Sequence, residues 1–308
     1  RWWIGGGQRD RVTDATRQPA RAFTLYTEPR APSSIVGAVR WRPSSVTLFD
    51  CDSTLSAVEG IDELADEPEH QELIASLTER AMDGDLPLEE IYGQRLELVG
   101  PTREEIRSVK ARYKRNVVAH AQAVIAALHH VETETWIVSG GLLEPVAEFA
   151  TWLGVPPERV RAVETHFDPL DGDWWDHRTQ PRYADHGRCE LTTTDGKAEV
   201  IRRSVRTEGR RLLVGDGVSD LAAATEVDLF AAYAGVVARP AVVDQARVVI
   251  TSESLAPALA LAIGPGRVRE LIGGQHDAVA RACLDGIEAG ALRFNDDELG
   301  RRFTASAG

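Results

Sequence analysis

The residues of this sequence that could do chemistry fall into four groups. In chain order they are Asp50-Cys51-Asp52-Ser53-Thr54, Ser139-Gly140-Gly141, Lys197 and Gly215-Asp216-Gly217-Val218-Ser219-Asp220. A carboxylate is already ionised at neutral pH and can act as a nucleophile without a base. Carboxylate oxygens are also the ligands that Mg²⁺ prefers, while ammonium, hydroxyl and amide groups can donate to an anion.

Each group also has a simpler explanation when it is taken alone. Two aspartates spaced D-x-D after a strand occur in the metal-nucleotide sites of glycosyltransferases. Ser139-Gly140-Gly141 could be only a turn, and Lys197 could be a solvated surface side chain. The group around Asp216 could be a glycine-rich turn with a helix N-cap. Their joint occurrence in this order favours a single site.

The elements that must position these groups are predicted from short apolar runs. The first run is Val46-Thr47-Leu48-Phe49, which ends directly before Asp50. Further strands are predicted at 135–139, 211–215, 227–231 and 247–250. Strands separated by helical stretches predict an α/β fold with a parallel sheet and right-handed crossovers. Ligands of such sheets bind at the carboxyl ends of the strands.

The pattern of apolar and turn residues divides the chain into four regions. We predict an irregular N-terminal extension at 1–43, an α/β core at 44–56 and 129–264, a helix-rich insertion at 57–128, and a C-terminal extension at 265–308. The C-terminal extension contains a helical stretch near 276–289. The stretch from Asp168 to Thr194, which includes Trp174-Trp175, is predicted to be a loop or a small hairpin.

Composition limits the partners and the compartment. A formal net charge of −13 argues against a nucleic-acid binder, so any positive charge that binds a phosphate must be local. There is no apolar run near 18 residues and no signal-peptide pattern, so we expect no membrane span. Cys51, Cys189 and Cys283 suggest no disulfide framework. We therefore expect a cytoplasmic protein. The sequence leaves its oligomeric state open between monomer and homodimer.

The four groups, in this order, resemble the motifs of the haloacid dehalogenase superfamily of phosphatases: DxDxT, a Ser or Thr, a Lys, and GDGxxD. The resemblance implies a Rossmann-like parallel core with a helical cap inserted after the first core strand. It also implies Mg²⁺ as the cofactor and an aspartyl-phosphate intermediate on Asp50. Asp52 would then protonate the leaving group and later deprotonate water, which requires a tuned pKa.

The same resemblance assigns the remaining members of the four groups. Besides Asp50, the implied metal ligands are Asp52, through its main-chain carbonyl, Asp216 and Asp220. Lys197 would neutralise the charge that Asp50 shares with the phosphate. Ser139 and Gly140 would donate hydrogen bonds to phosphoryl oxygens.

The insertion resembles the cap of phosphoserine phosphatases, and the resemblance runs from about residue 46 to 250. It is carried by Glu59-Gly60-Ile61-Asp62-Glu63-Leu64-Ala65, Thr78-Glu79-Arg80-Ala81-Met82-Asp83-Gly84, Arg95-Leu96-Glu97-Leu98 and Pro101-Thr102-Arg103-Glu104. It implies that Glu59 accepts a substrate ammonium and that Arg95 clamps a carboxylate. Met82 and Ser219 would also contact the substrate. Core packing is an alternative role for Met82, and exposed helical charge is one for Glu59 and Arg95.

Several alternatives remain at this level. O-phospho-L-serine is the favoured small phosphate monoester, but another small metabolite would fit the four motifs. The aspartyl phosphate could also pass to an acceptor hydroxyl such as that of homoserine, or the chain could be a non-catalytic binding protein. The stretch 165–194 departs from the family pattern. A zinc site there, from His166, His177, His186 and Cys189, fits no standard spacing.

Overall fold

The computed structural model describes residues 41–65, 68–168 and 181–307. Nearly all of the predicted N-terminal extension, together with Trp174-Trp175 and His177, lies outside the described residues. The described chain folds as a mostly parallel sheet with helices packed on it, so the predicted Rossmann-like α/β fold is confirmed.

Seven strands form the central sheet. They are β1 (Val46–Phe49), β2 (Glu134–Leu142), β3 (Val160–Val163), β6 (Arg211–Gly215), β7 (Leu229–Tyr233), β8 (Val248–Ile250) and β9 (Leu292–Phe294). Two further strands, β4 (His166–Phe167) and β5 (Tyr183–Asp185), form a separate antiparallel pair. The strand order is β3-β2-β1-β6-β7-β8-β9. Only the β8-β9 pair of this sheet is antiparallel, as a crossover fold with one added edge strand requires.

The register of the central strands decides where the chemistry lies. All four residues of β1 are fully buried between β2 and β6, so the apolar run forms a central strand. Phe49 pairs with Val214, and the next amide, that of Asp50, donates to the Val214 carbonyl over 3.0 Å. Asp50 and Asp216 therefore leave neighbouring strands at the same edge of the sheet.

The strands were predicted unevenly. β1 and β6 have the predicted bounds, and β2 is longer than predicted. The prediction at 227–231 was two residues early, since β7 covers Leu229–Tyr233. β3 and β9 were missed because they are short edge strands that each contain an arginine, Arg161 and Arg293.

In the part of the chain that the structure describes, four helices lie between β1 and β2, and eight more follow. The four are α1 (Pro68–Met82), α2 (Leu88–Val99), α3 (Arg103–Arg115) and α4 (Ala121–His130). The others are α5 (Leu143–Leu153), α6 (Gly196–Ser204), α7 (Val218–Ala222), α8 (Pro240–Val243), α9 (Pro257–Ile263), α10 (Pro265–Glu270), α11 (Asp277–Glu288) and α12 (Asp297–Ala305). Across the described ranges, no helix is both long enough and apolar enough to cross a membrane.

The packing of these helices suggests domain boundaries that differ from those drawn from the sequence. α1 packs on α2, whereas α4 packs on β2 and α9. α3 also packs on a core helix, α5, so we propose that α1 and α2 form the helical cap and that α3 and α4 belong to the core. β9 extends the sheet and α11 packs on α9, so we propose that 265–308 completes the core.

The β4-β5 pair joins the core to the cap. The Tyr183 amide donates to the Pro101 carbonyl over 2.8 Å, and Arg182 donates to the Gly100 carbonyl over 2.8 Å. Gly100 ends α2 in the left-handed region with φ 54°, where glycine carries no side-chain penalty. The stretch predicted to be a loop or small hairpin thus contains β5, which pairs with β4 just before that stretch and reaches the α2-α3 turn.

Candidate active site

Lys197 and two aspartates form a buried ion cluster where β1 ends. The Lys197 Nζ lies 2.7 Å from Oδ2 of Asp50 and 2.8 Å from Oδ1 of Asp220. Burial alone would lower the pKa of Lys197, but Asp220 and Asp50 together raise it above its usual value. Lys197 therefore stays charged and holds the Asp50 carboxylate, whose Oδ1 accepts from the Cys51 amide over 2.7 Å.

Asp216 completes a group of three carboxylates. Ligand oxygens of Asp50, Asp216 and Asp220 all lie within 4.8 Å of one another. Burial and then the charge of Asp50 raise the pKa of both Asp216 and Asp220. The three carboxylates thus repel one another, and a divalent cation would relieve this repulsion.

The donor set fits Mg²⁺. Five carboxylates line or adjoin the cavity, from Asp50, Asp52, Glu59, Asp216 and Asp220, against three cations, from Arg95, Lys197 and Arg239. Hard carboxylate oxygens in a small buried cluster are the ligands that Mg²⁺ prefers.

Asp52 lies beside the cluster and carries a strongly shifted pKa. Its Oδ1 accepts from the Gly60 amide over 2.8 Å and from the Tyr113 hydroxyl over 2.7 Å. Burial, followed by the charge of Asp50, raises the pKa of Asp52 to about 7, although the hydrogen bond from Tyr113 lowers it. A carboxyl group with this pKa can both give and take a proton near neutrality.

The end of β2 provides polar groups facing Asp52. The Ser139 hydroxyl accepts from the Gly141 amide over 2.9 Å and lies 3.4 Å from Oδ2 of Asp52. Gly140 lines the cavity, and its carbonyl accepts from the Tyr92 hydroxyl over 2.7 Å. The structure thus brings Ser139 and Gly140 to the same cavity as Asp50.

Glu59 comes from the loop after β1. Its Oε1 accepts from the Ser53 hydroxyl over 2.7 Å and lies 3.8 Å from the Arg239 guanidinium. Ser53 has φ 51°, a backbone conformation that is uncommon outside glycine. Burial, Asp52 and Asp216 raise the pKa of Glu59 well above its usual value, so a cationic group beside this carboxyl would be stabilised.

Arg95 reaches the cavity from α2. It is 3% exposed, and it donates to the Thr78 hydroxyl over 2.7 Å, which in turn donates to Asp62 over 2.6 Å. Its Nε has no hydrogen-bond partner. A buried guanidinium with an unpaired donor is costly unless an acceptor enters the cavity.

The remaining predicted residues also line the cavity. Met82, at the end of α1, and Ser219, in α7, both do so. Leu88, Tyr92 and Ile61 complete its apolar wall. All eleven residues predicted for the site therefore meet in one region between the sheet and the cap.

Sequence reasoning missed three residues that contact this site: Arg239, Tyr113 and Thr78. Arg239 is 5% exposed and donates to Oδ2 of Asp216 over 3.1 Å and to Asp83 over 3.3 Å. No motif marks it, since it lies in a loop before α8. Thr78 was available as a signal, because it begins a segment that had been matched to the cap.

Two of the histidines considered for zinc, His166 and His186, have other partners. His166 pairs with Asp185 at 2.7 Å, and His186 lies 2.6 Å from the Tyr183 hydroxyl. In the described ranges, the one group of three candidate ligands within reach of a metal is that of Asp50, Asp216 and Asp220.

Comparison with known proteins shows where this arrangement recurs. The chain matches no family model. It is 29% identical to phosphoserine phosphatase of Mus musculus, over 68% of this chain and 89% of that protein. It is also 29% identical to the chloroplastic phosphoserine phosphatase of Arabidopsis thaliana, over 75% of this chain and 77% of that protein.

Solved structures show the same likeness. A phospho-aspartyl intermediate analogue of phosphoserine phosphatase superposes with a TM-score of 0.58 and 25% identity, over 71% of this chain and 98% of that one. A substrate-bound phosphoserine phosphatase complex gives the same TM-score and identity, over 71% of this chain and 97% of that one. The chain is therefore a phosphoric monoester hydrolase that is similar to the phosphoserine phosphatases and whose four motifs resemble those of the haloacid dehalogenase superfamily.

Proposed function

We propose that this enzyme hydrolyses O-phospho-L-serine to serine and phosphate, with Mg²⁺ as cofactor and an aspartyl phosphate on Asp50. The observation that carries the proposal is the shared cavity. Asp50, Lys197 and Asp216 line the same cavity as Glu59 and Arg95. Phosphoserine has a phosphate, an ammonium and a carboxylate, and the cavity offers a complementary group for each.

In the first step the Asp50 carboxylate attacks phosphorus, and the ester bond to the serine oxygen breaks. Asp52 gives its proton to the leaving alkoxide, which suits a carboxyl group whose pKa is raised to about 7. Lys197 holds Asp50 and offsets the charge of the phosphoryl group. The Ser139 hydroxyl and the Gly140 amide would donate toward the transferring oxygens.

In the second step Asp52, now ionised, takes a proton from a water molecule that attacks the phosphorus of the aspartyl phosphate. The acyl-phosphate bond breaks, phosphate leaves, and the Asp50 carboxylate is restored. Mg²⁺, when bound by Asp50, Asp216, Asp220 and the Asp52 carbonyl, supplies positive charge against the phosphoryl oxygens. Thr54 and Arg239 keep Asp216 in place through bonds of 2.9 and 3.1 Å.

Recognition of serine rests on two side chains at the cap end. The Glu59 carboxylate would accept a hydrogen bond from the substrate ammonium. The positive charge of the ammonium would offset the free-energy cost of keeping this carboxylate ionised in a buried place. Arg95 has an unpaired Nε, and a carboxylate would satisfy it with a charge-assisted bond. These two contacts distinguish phosphoserine from esters that lack either group.

A substrate panel tests the assignment. O-phosphoserine, O-phosphoethanolamine, which lacks the carboxylate, and 3-phospholactate, which lacks the ammonium, are compared in the parent enzyme, Arg95→Ala and Glu59→Gln. We expect Arg95→Ala to lower kcat/KM for phosphoserine about 100-fold, as for a lost charge-assisted contact, and to spare phosphoethanolamine. We expect Glu59→Gln to spare phospholactate. Equal losses on all three esters would refute the substrate assignment.

The covalent mechanism has its own test. Asp50→Asn should abolish turnover of every ester, because the amide cannot form the acyl phosphate. Retention of near-normal activity by Asp50→Asn would contradict the mechanism. Hydrolysis and phosphotransfer are separated by adding homoserine: serine and inorganic phosphate should still appear in equal amounts.

A further inference from the structure

A second cavity lies at the protein surface and is lined by four arginines. Its lining residues are Trp41, Arg42, Pro43, Arg210, Asp228, Arg247, Leu299 and Arg302, and we call it the arginine cavity. Its volume is about 420 Å³, and it opens to solvent. That is the size range of sites for metabolites and cofactors.

The arginine cavity lies at the amino ends of the strands, and the active site lies at their carboxyl ends. Arg42 and Pro43 precede β1, Arg210 precedes β6, and Arg247 precedes β8. Asp50 and Asp216 follow the opposite ends of β1 and β6. With about 3.3 Å per residue and five residues in β6, the two sites are roughly 16 Å apart, so one small ligand cannot occupy both.

The charge around the arginine cavity is unbalanced. Asp228 is the one acid among the described lining residues, and its Oδ2 already accepts from the Arg211 amide over 2.8 Å. Arg247 pairs with Asp296 at 2.8 Å. Among the residues that the structure describes, no carboxylate pairs with Arg42 or Arg302.

The wall beneath these arginines is fixed. Trp41 is 8% exposed and donates from Nε1 to the Leu261 carbonyl over 2.9 Å, with its edge against Phe303. Arg210 lies over the Trp41 ring at 4.6 Å and donates to the Arg42 carbonyl. The guanidinium of Arg210 is therefore held in place before any ligand arrives.

The repulsion between these cations is not relieved within the cavity. Burial lowers the pKa of Arg210, and Arg302, Arg247 and Arg42 lower it further, against Asp228, which raises it. These arginines lie close together without an equal number of acids, although the whole chain has a net charge of −13. A bound anion would remove the free-energy cost of their mutual repulsion.

We propose that the arginine cavity binds a small anion that carries two or more negative charges on phosphate or carboxylate groups. Guanidinium groups match both kinds of oxyanion with two parallel hydrogen bonds. The limited volume and the net negative charge of the chain favour a metabolite-sized anion over a nucleic acid or an anionic membrane. The ligand bound there is distinct from the phosphate ester at Asp50.

Isothermal titration with pyrophosphate and with citrate tests the proposal. Both probes are used without Mg²⁺, because each binds that ion. The cavity variant is Arg42→Gln/Arg302→Gln, and the matched control is Arg115→Gln/Arg301→Gln, which removes the same charge from exposed positions on α3 and α12. Circular dichroism establishes that both variants are folded.

We expect the parent and the control to bind at least one probe with a Kd below about 1 mM, and the cavity variant to bind it at least tenfold more weakly. Preference for pyrophosphate or for citrate distinguishes a phosphate ligand from a carboxylate ligand. Phosphatase activity should be unchanged in the cavity variant. Equal affinity in the parent and the cavity variant, equal weakening in both variants, or binding of neither probe would each overturn the proposal.

Discussion

Arg239 donates from Nε to Oδ2 of Asp216 over 3.1 Å, and both side chains are almost fully buried. The same guanidinium lies 3.3 Å from Asp83 and 3.8 Å from Glu59. It is therefore the cation that joins a carboxylate of the proposed metal cluster to one of the proposed substrate contacts and to the cap.

Arg239→Gln should destabilise the protein and make its stability depend more on Mg²⁺. Breaking a buried ion pair costs about 3 kcal/mol or more because one charge stays unpaired. Without Arg239, the Asp216 carboxylate gains more from a divalent cation. Urea unfolding with and without Mg²⁺ should show a larger Mg²⁺ effect in the variant than in the parent.

Arg115→Gln is the control for this measurement, since it removes an exposed charge on α3. Its free energy of unfolding should lie within about 0.5 kcal/mol of the parent value. An identical Mg²⁺ effect in Arg239→Gln and the parent would show that Arg239 does not share Asp216 with the metal.

Tyr113→Phe should move the pH profile of the reaction. The hydroxyl of Tyr113 lowers the pKa of Asp52, so its removal raises that pKa. Because Asp52 must be protonated to act as the acid, kcat/KM falls as the pH rises through this pKa. The alkaline limb of the profile should therefore move to higher pH in Tyr113→Phe. A hydrogen bond to a charged group predicts a shift of about one pH unit.

Profiles of the parent, Tyr113→Phe and Tyr233→Phe, measured at one fixed Mg²⁺ concentration, give the comparison. The hydroxyl of Tyr233 donates to the Glu253 carbonyl and not to Asp52, so Tyr233→Phe should keep the parent profile. A downward or absent shift in Tyr113→Phe would argue against Asp52 as the acid.

Thr78→Val should weaken phosphoserine binding without slowing chemistry. Thr78 is a positioning residue, because its hydroxyl accepts from Arg95 and donates to Asp62. Without this hydroxyl Arg95 is less well oriented, and phosphoserine should lose about 1 kcal/mol of binding free energy. KM for phosphoserine should rise about fivefold, with kcat changed less than twofold. Phosphoethanolamine, which has no carboxylate for Arg95, should be unaffected.

Thr47→Val is the matched control. Thr47 is fully buried in β1, and its hydroxyl has no hydrogen-bond partner. Its replacement should leave the kinetics of both substrates at parent values. If Thr78→Val impaired both substrates equally, its effect would be general and not directed at Arg95.

The sequence predicted the sheet best where burial is complete on both faces. β1 is buried throughout, and β6 is buried at every residue after Arg211. The chemical groups follow both strands directly. β3 and β9 lie at the two edges of the sheet, where alternating or charged residues such as Arg161 weaken the signal. Such segments become strands because they pair with a neighbouring strand in the folded protein, which the local sequence does not show.

The site was predictable where residues belong to short motifs. Asp50, Asp216 and Lys197 lie in or near patterns with a chemical reason for each position. Arg239 and Tyr113 are different, since each contacts the site from a segment more than 20 residues away from its partner. Only the folded chain brings these side chains to the carboxylates, so spacing alone could not identify them.

Gly215→Ala should disable the site while the fold survives. A Cβ at this position would lie 2.3 Å from Cγ of Asp220, so that side chain must move and its 2.8 Å bond to Lys197 breaks. Displacement of about 1 Å in such a site costs on the order of 100-fold in rate. We expect this loss in kcat, together with weaker Mg²⁺ dependence.

Gly286→Ala serves as the control, because a Cβ there meets its nearest neighbours, Pro257 and Ala291, at ordinary contact distances of 3.5 and 3.6 Å. It lies inside α11, where alanine should stabilise the helix by about 0.5 to 1 kcal/mol, and its activity should equal that of the parent. Near-parental activity in Gly215→Ala would mean that the position of Asp220 is not critical, and that Lys197 can hold Asp50 without it.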